Sequence, residues 1–78
     1  MTNELVYRFS RNENEDISFS VREFKERLYC DIRIFFKASD NEWHPTKKGI
    51  TFRIDLLPEV QKGISKLIAF CSTSEVSK

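Results

Sequence analysis

The chain has 78 residues, with 13 Lys and Arg against 12 Asp and Glu and a formal net charge of +1, so overall charge selects no polyanionic partner. That length allows one domain, which buries only about 60% of its unfolded surface and needs a staple such as a disulfide, a metal or a partner subunit. Cys30 and Cys71 show no CxxC spacing and His44 is the sole histidine, so a Cys/His metal site lacks ligands, while no apolar run approaches the roughly 20 residues of a membrane helix.

Both cysteines lie in apolar runs and read as buried, reduced thiols, which leaves association with a second subunit as the expected staple. "MTNELVYRFS" has no signal-peptide profile, and the expectation is a soluble, intracellular protein without membrane partner, metal or cofactor.

"ELVYRFSR" alternates Leu5, Tyr7 and Phe9 against Val6, Arg8 and Ser10, which suits a first strand. "NENED" is a polar connection with nothing apolar to bury. "ISFSVREFK" is the second strand, with Ile17, Phe19 and Val21 on one side and Ser18, Ser20, Arg22 and Phe24 on the other. "RLYCDIRIFFK" is the third: Leu28, Cys30, Ile32 and Ile34 face one way, and Tyr29, Asp31, Arg33 and Phe35 the other. "ASDNEWHPT" reads as a loop from its Ser-Asp-Asn run and Pro45, and "KKGITFRI" as a fourth strand with Lys48, Ile50, Phe52 and Ile54 in one register.

The period then changes. In "DLLPEVQKGISKLIAFC" the apolar residues Leu57, Val60, Ile64, Leu67 and Cys71 are spaced by threes and fours, one stripe of a helix. Asp55 is the expected N-cap, Pro58 fits a first turn, and Gly63 costs about 1 kcal/mol relative to alanine in mid-helix. The tail from residue 72 to residue 78 should fray, leaving a core of about residues 5–71 within a single domain. Four strands followed by one helix give an α+β domain, a curved antiparallel sheet with the helix lying on one face. The opposite face then meets solvent, a subunit or a ligand.

Charge is uneven along the chain. Arg8 and Arg11 are outnumbered by Glu4, Glu13, Glu15 and Asp16 in the first strand and turn, whereas Arg22, Lys25, Arg27, Arg33, Lys37, Lys47, Lys48 and Arg53 outnumber the acids of the middle segment. Catalysis is poorly supported. No two carboxylates are brought together by periodicity, His44 has no nucleophile nearby in sequence, and Gly49 and Gly63 build no phosphate loop. Aromatic rings among cations suit single-stranded nucleic acid instead, since bases stack on rings and phosphates attract Lys and Arg. Phe24, Phe36 and Trp43 are the candidate rings; Arg22, Lys25, Arg27, Arg33, Lys47 and Lys48 are the candidate cations. Each has a bland alternative. Phe24 suits a strand-end ring folded over an edge, Phe36 has the parity of the core residues Ile32 and Ile34, Trp43 suits packing beneath its own turn, and the cations suit a solvated face.

"VREFKERLYCDIRIFF" followed by "HPTKKGITF" resembles the C-terminal domain of the transcriptional coactivator family Positive Cofactor Four, or p15. The family pattern runs V-R-x-F-K-G-(K/R), D-I-R-x-(F/Y)-(W/Y/F), then P-(T/G)-(K/R)-K-G-I-(S/T)-(L/F), and the correspondence is gap-free from Val21 to Phe52. The resemblance implies a two-fold homodimer that binds single-stranded DNA, or melted duplex, with little sequence preference. It implies stacking by Phe24 and Phe36, strand contacts from Arg22 and Arg33, and phosphate contacts from Lys25, Arg27, Lys47 and Lys48, with Trp43 and His44 beside the channel. Glu26 stands where the pattern has glycine, Phe36 where a Trp is often found, and the "FRIDLLPEV" junction departs from the family. The twenty residues before the motif are not Ser-rich, which fits a bacterial or phage homologue acting in transcription, replication or recombination and equally an isolated domain; the expected location is the bacterial or host cytoplasm, or the nucleus if the source is eukaryotic. The rival readings are an adaptor whose exposed aromatics bind transcription or replication proteins, and a duplex-specific regulator, the latter disfavoured because the helix offers only Lys62 and Lys66.

Overall fold

Residues 3–73 are described by the structure, a computed structural model. Strands β1 (Asn3–Asn12), β2 (Glu15–Phe24), β3 (Arg27–Lys37) and β4 (Trp43–Arg53) are followed by a 3-10 turn (Ile54–Leu56) and helix α1 (Leu57–Thr73). The strands form one antiparallel sheet in chain order, the α+β arrangement expected from the change of hydrophobic period. Beyond the expected end at Cys71, α1 continues to Thr73, and the rest of the tail that was expected to fray lies outside the described residues.

Short polar turns set the hairpins. The side-chain oxygen of Asn12 accepts the Asn14 N–H at 2.9 Å, closing the β1–β2 connection. At the β2–β3 end, Phe24 pairs with Arg27, and the two residues between them, Lys25 and Glu26, have φ of 52° and 65°. Two successive left-handed residues make the tight turn whose twist matches that of the strands.

Pairing partners share a face. Phe19 lies between Tyr7 and Ile32, Ile17 between Phe9 and Ile34, and Val21 beside Cys30, with Ile50 and Phe52 extending this apolar face onto β4. Tyr7, Phe9 and Phe19 cluster with ring centroids 5.9–6.0 Å apart. The other face carries Ser18, Ser20, Arg22, Phe24, Tyr29, Asp31, Arg33 and Thr51.

Several local expectations are corrected. A bulge between Leu5 and Tyr7 puts Leu5 opposite Ser20 on the polar face, because the extra residue Val6 breaks the alternation. β4 starts at Trp43, so Trp43, His44, Pro45 and Thr46 belong to a strand, paired through Lys37, Phe36 and Phe35. Pro45 is tolerated there because β4 is an edge strand. Asp55 is not the N-cap: it lies inside the 3-10 turn, 3.4 Å from the Arg53 guanidinium, and α1 starts two residues later.

The helix does not lie on its own sheet. Leu57, at its root, shares an apolar cavity with Val6, Phe19, Ile32 and Phe52, but beyond it Leu67, Ile68 and Phe70 are each more than 60% exposed. The stripe is amphipathic as expected, yet the 3-10 turn leads it away from the strands, so both the stripe and the apolar face stay open. Among the described residues Cys30 is the one buried apolar side chain; Cys71, also expected inside, is exposed. The radius of gyration, 15.0 Å, exceeds the ~11–12 Å expected for a compact chain of this length.

Candidate nucleic-acid interface

The polar face is organised around a clasp at its centre. Arg33 Nε and Nη2 donate to the two carboxylate oxygens of Asp31 at 3.0 and 2.8 Å, while Nη1 donates to the Thr46 carbonyl at 2.9 Å. The Thr51 hydroxyl donates to Asp31 at 2.6 Å and lies 3.3 Å from Arg33 Nη2. Asp31 is buried, and the hydrogen bond from Arg33 holds its carboxyl below the usual carboxylate range against the opposing effect of burial. The same bond raises the Arg33 guanidinium.

This clasp ties down an irregular piece of β4. Between Arg33 and Phe35, β3 has only Ile34, whereas β4 runs from Gly49 to Pro45 through Lys48, Lys47 and Thr46. The surplus forms a bulge whose polar groups are satisfied locally: Thr46 donates its hydroxyl to the Ile34 carbonyl at 2.7 Å and accepts the Lys48 N–H at 3.1 Å. Gly49 makes the approach feasible, since a Cβ there would lie 2.5 Å from the Ile32 carbonyl oxygen. The bulge sends the two lysines to different surroundings. Lys47 borders the polar face with Arg22, Arg33 and Phe35, and Lys48 borders the apolar side with Ile17, Ile34 and Ile50.

Phe24 is 54% exposed at the hairpin end, beside Arg22 and Tyr29 and with Lys25 Nζ 5.4 Å from its ring centroid. Arg22, Arg27, Lys47 and Lys48 form no salt bridge among the described residues, in contrast to Arg33, although the charge of Arg22 helps to lower the Asp31 carboxyl. Trp43 also shares the polar face, and not as a residue tucked beneath a turn. The Arg8 guanidinium stands 4.8 Å from its ring and 5.8 Å from that of Phe35, while pairing with Asp16. Ser18, between Arg8 and Arg33 in register, is buried with its hydroxyl unpartnered among the described residues.

Phe36 is placed differently from Phe24. For Phe36 to stack on the face that carries Phe24, β3 would have to twist or bulge, but β3 pairs regularly with β2 through Phe36, and the bulge is in β4. Phe36 therefore keeps the parity of Ile34. It lies at the far end of the sheet, 40% exposed, with the His44 ring 6.0 Å away and His44 itself 3.3 Å from Asp40. The Asp40 carboxyl is lowered, chiefly by the Glu42 N–H. Thus Arg22, Phe24, Lys25, Arg27, Arg33, Trp43 and Lys47 share one surface, while Phe36 and Lys48 fall on the other side. Arg8 and Tyr29 join that surface unannounced. Alternation puts Tyr29 outward, but only the strand register shows what stands next to it. Among the described residues no group of three or more His, Cys, Asp or Glu side chains could hold a metal ion, and no helix is long and apolar enough to cross a membrane.

The family model of the transcriptional coactivator p15 (PC4) matches residues 12–63, more than half of the chain and wider than the stretch from Val21 to Phe52. Crystal structures of a PC4 homologue from Burkholderia pseudomallei, in tetragonal and orthorhombic forms, each match with a TM-score of 0.76 at 28% identity over 87% of this chain, covering 97% and 89% of theirs. A bacteriophage T5 homologue of the eukaryotic coactivator PC4, implicated in recombination-dependent DNA replication, matches with a TM-score of 0.65 at 29% identity, over 97% of this chain and 84% of that one. Among curated proteins no sequence match is found.

Proposed function

The chain belongs to the transcriptional coactivator p15 (PC4) family, and from that premise we propose that it binds single-stranded DNA as a homodimer, with little sequence preference. The observation that carries this reading is the half-exposed ring of Phe24 beside Arg22, a cation that forms no salt bridge among the described residues, on a face no helix covers. An unpaired base stacked on such a ring contributes about 1–3 kcal/mol, and the neighbouring Lys25, Arg27 and Lys47 supply charge for the phosphates that follow it. Trp43 extends the stacking surface away from Phe24. Arg33 acts chiefly through the clasp, holding the bulge that presents Lys47. Phe36 and Lys48 engage DNA where the strand passes over the end of the sheet. The T5 relative's link to recombination-dependent replication supports a role in replication or recombination as well as in transcription, inside the cell. The reading is one of binding, and it assigns no residue to catalysis.

Homodimer formation is supported by the surfaces left open. The apolar face with Phe9, Phe19 and Ile50 and the helix stripe with Ile64 and Leu67 are complementary in chemistry, and each lacks a cover in a single chain. A second copy would supply both.

Gel shifts with single-stranded and duplex oligonucleotides of equal length test the proposal. The single strand should be retained at lower protein concentration, with log affinity falling by about 0.7 per neutralised phosphate per log unit of salt. Phe24→Ala should weaken single-strand binding by about 1–3 kcal/mol without altering the circular dichroism spectrum. Unchanged affinity in that variant would reject the stacking role. Capture of a protein partner undisturbed by oligo-dT, with no DNA retained, would favour the adaptor reading instead.

A further inference from the structure

We infer that the cavity at the β2–β3 hairpin end of the polar face receives one unpaired nucleobase, with Tyr29 sharing the stacking with Phe24; this rests on the single-strand reading above. The cavity measures about 330 Å³ and is lined by Arg22, Glu23, Phe24, Tyr29 and Thr51. That volume is at the small end of ligand sites, roughly 300–1,000 Å³, and suits one base better than a folded nucleotide chain.

The register places the two rings. Phe24 pairs with Arg27 and Arg22 with Tyr29, so Phe24 and Tyr29 are diagonal neighbours on one face. Diagonal positions lie about 7–8 Å apart, a gap that a planar group in contact with both rings at roughly 3.5–4 Å on each side would fill. Among the described residues neither ring has another aromatic partner, so the gap is not already closed from within; the cation at Phe24 is Lys25.

The two rings offer a base its stacking surface, and Arg22, which forms no salt bridge among the described residues, is on hand for the phosphate outside. The Thr51 hydroxyl is already engaged with Asp31 and Arg33, so Thr51 contributes a fixed wall. A ring moved by only two side-chain torsions loses little freedom when a base docks, which favours Tyr29 over an aliphatic residue at this position.

The test uses short oligo-dT carrying one 2-aminopurine, titrated with wild type, Phe24→Ala, Tyr29→Leu and Tyr29→Phe. Wild type should quench the fluorophore, Tyr29→Leu should weaken affinity by roughly fivefold to tenfold and reduce the quench, and Tyr29→Phe should behave as wild type. The double variant Tyr29→Leu/Phe24→Ala should lose less than the product of the single losses, because both rings hold one base. If wild type and Phe24→Ala differ as expected but Tyr29→Leu equals wild type, the pocket is overturned and the single-strand reading stands. If Tyr29→Phe is as weak as Tyr29→Leu, stacking by the ring is overturned. Failure of wild type to bind oligo-dT at all would remove the single-strand reading and the pocket together. Should Tyr29→Leu not fold, the wild-type quench decides: an unquenched fluorophore at every position overturns the pocket.

Discussion

Asp31 and Arg33 are two residues apart on one strand, hence on the same face, and their pairing is what a D-I-R sequence can make without any other element. The contact that gives the pair its wider effect, from Arg33 to the Thr46 carbonyl, depends on a bulge in another strand and is not legible from spacing. Asp31→Asn should destabilise the fold by about 3 kcal/mol, the low end for breaking a buried charge pair, since the Arg33 side chain keeps 19% of its surface exposed. The same residue gives a pH dependence. Its folded pKa lies below the unfolded value of about 3.9, so its contribution is complete above about pH 4 and is lost as the pH falls through the lowered value. Urea denaturation of wild type and Asp31→Asn at matched protein concentration should therefore converge in strongly acid solution; parallel curves down to pH 2 would refute the clasp. Phe24 is the opposite case. Its exposure follows directly from alternation with Ser18, Ser20 and Arg22, and the structure keeps it there.

At the scale of elements, β3 was legible to the residue, because its alternation is unbroken and turn chemistry bounds it. β4 was not. Pro45 reads as a loop residue, and only its position at the edge of the sheet lets it sit in a strand. The β2–β3 turn shows the cost of a departure from the family pattern. Glu26 occupies a left-handed conformation, φ 65°, in which a residue with a Cβ is disfavoured by about 1–2 kcal/mol and glycine is not. Glu26→Gly should raise stability by about 1 kcal/mol, read as a shift in the urea midpoint, and should strengthen DNA binding at low salt by removing a negative charge next to Lys25 and Arg27. A lower midpoint would mean that the turn is not held in this geometry.

The whole molecule is thin, with extents of 42 × 35 × 18 Å, and its apolar surfaces face outward. The helix was expected to fold back because an amphipathic stripe needs an apolar surface, and that physical demand stands. What periodicity could not say is whose surface meets it. Leu67→Glu places a charge on a 64% exposed side chain, so a lone chain should tolerate it almost without effect, within about 0.5 kcal/mol. In the proposed homodimer it should instead shift sedimentation toward the monomer and lower the melting temperature. An unaltered sedimentation profile would count against the helix as an interface. Gly63 sharpens the point, since a Cβ added there would meet nothing within 4 Å among the described residues beyond its own helix backbone and chain neighbours.

Among the described residues Cys30 alone of the apolar side chains is sealed from water, and that scarcity ties the proposed activity to abundance. If the chain completes its core only in the proposed homodimer, dilution governs it: where copies are rare, few would assemble, and the single strands they would otherwise guard would stay naked. Synthesis rate would then serve as its throttle, with no separate inhibitor required.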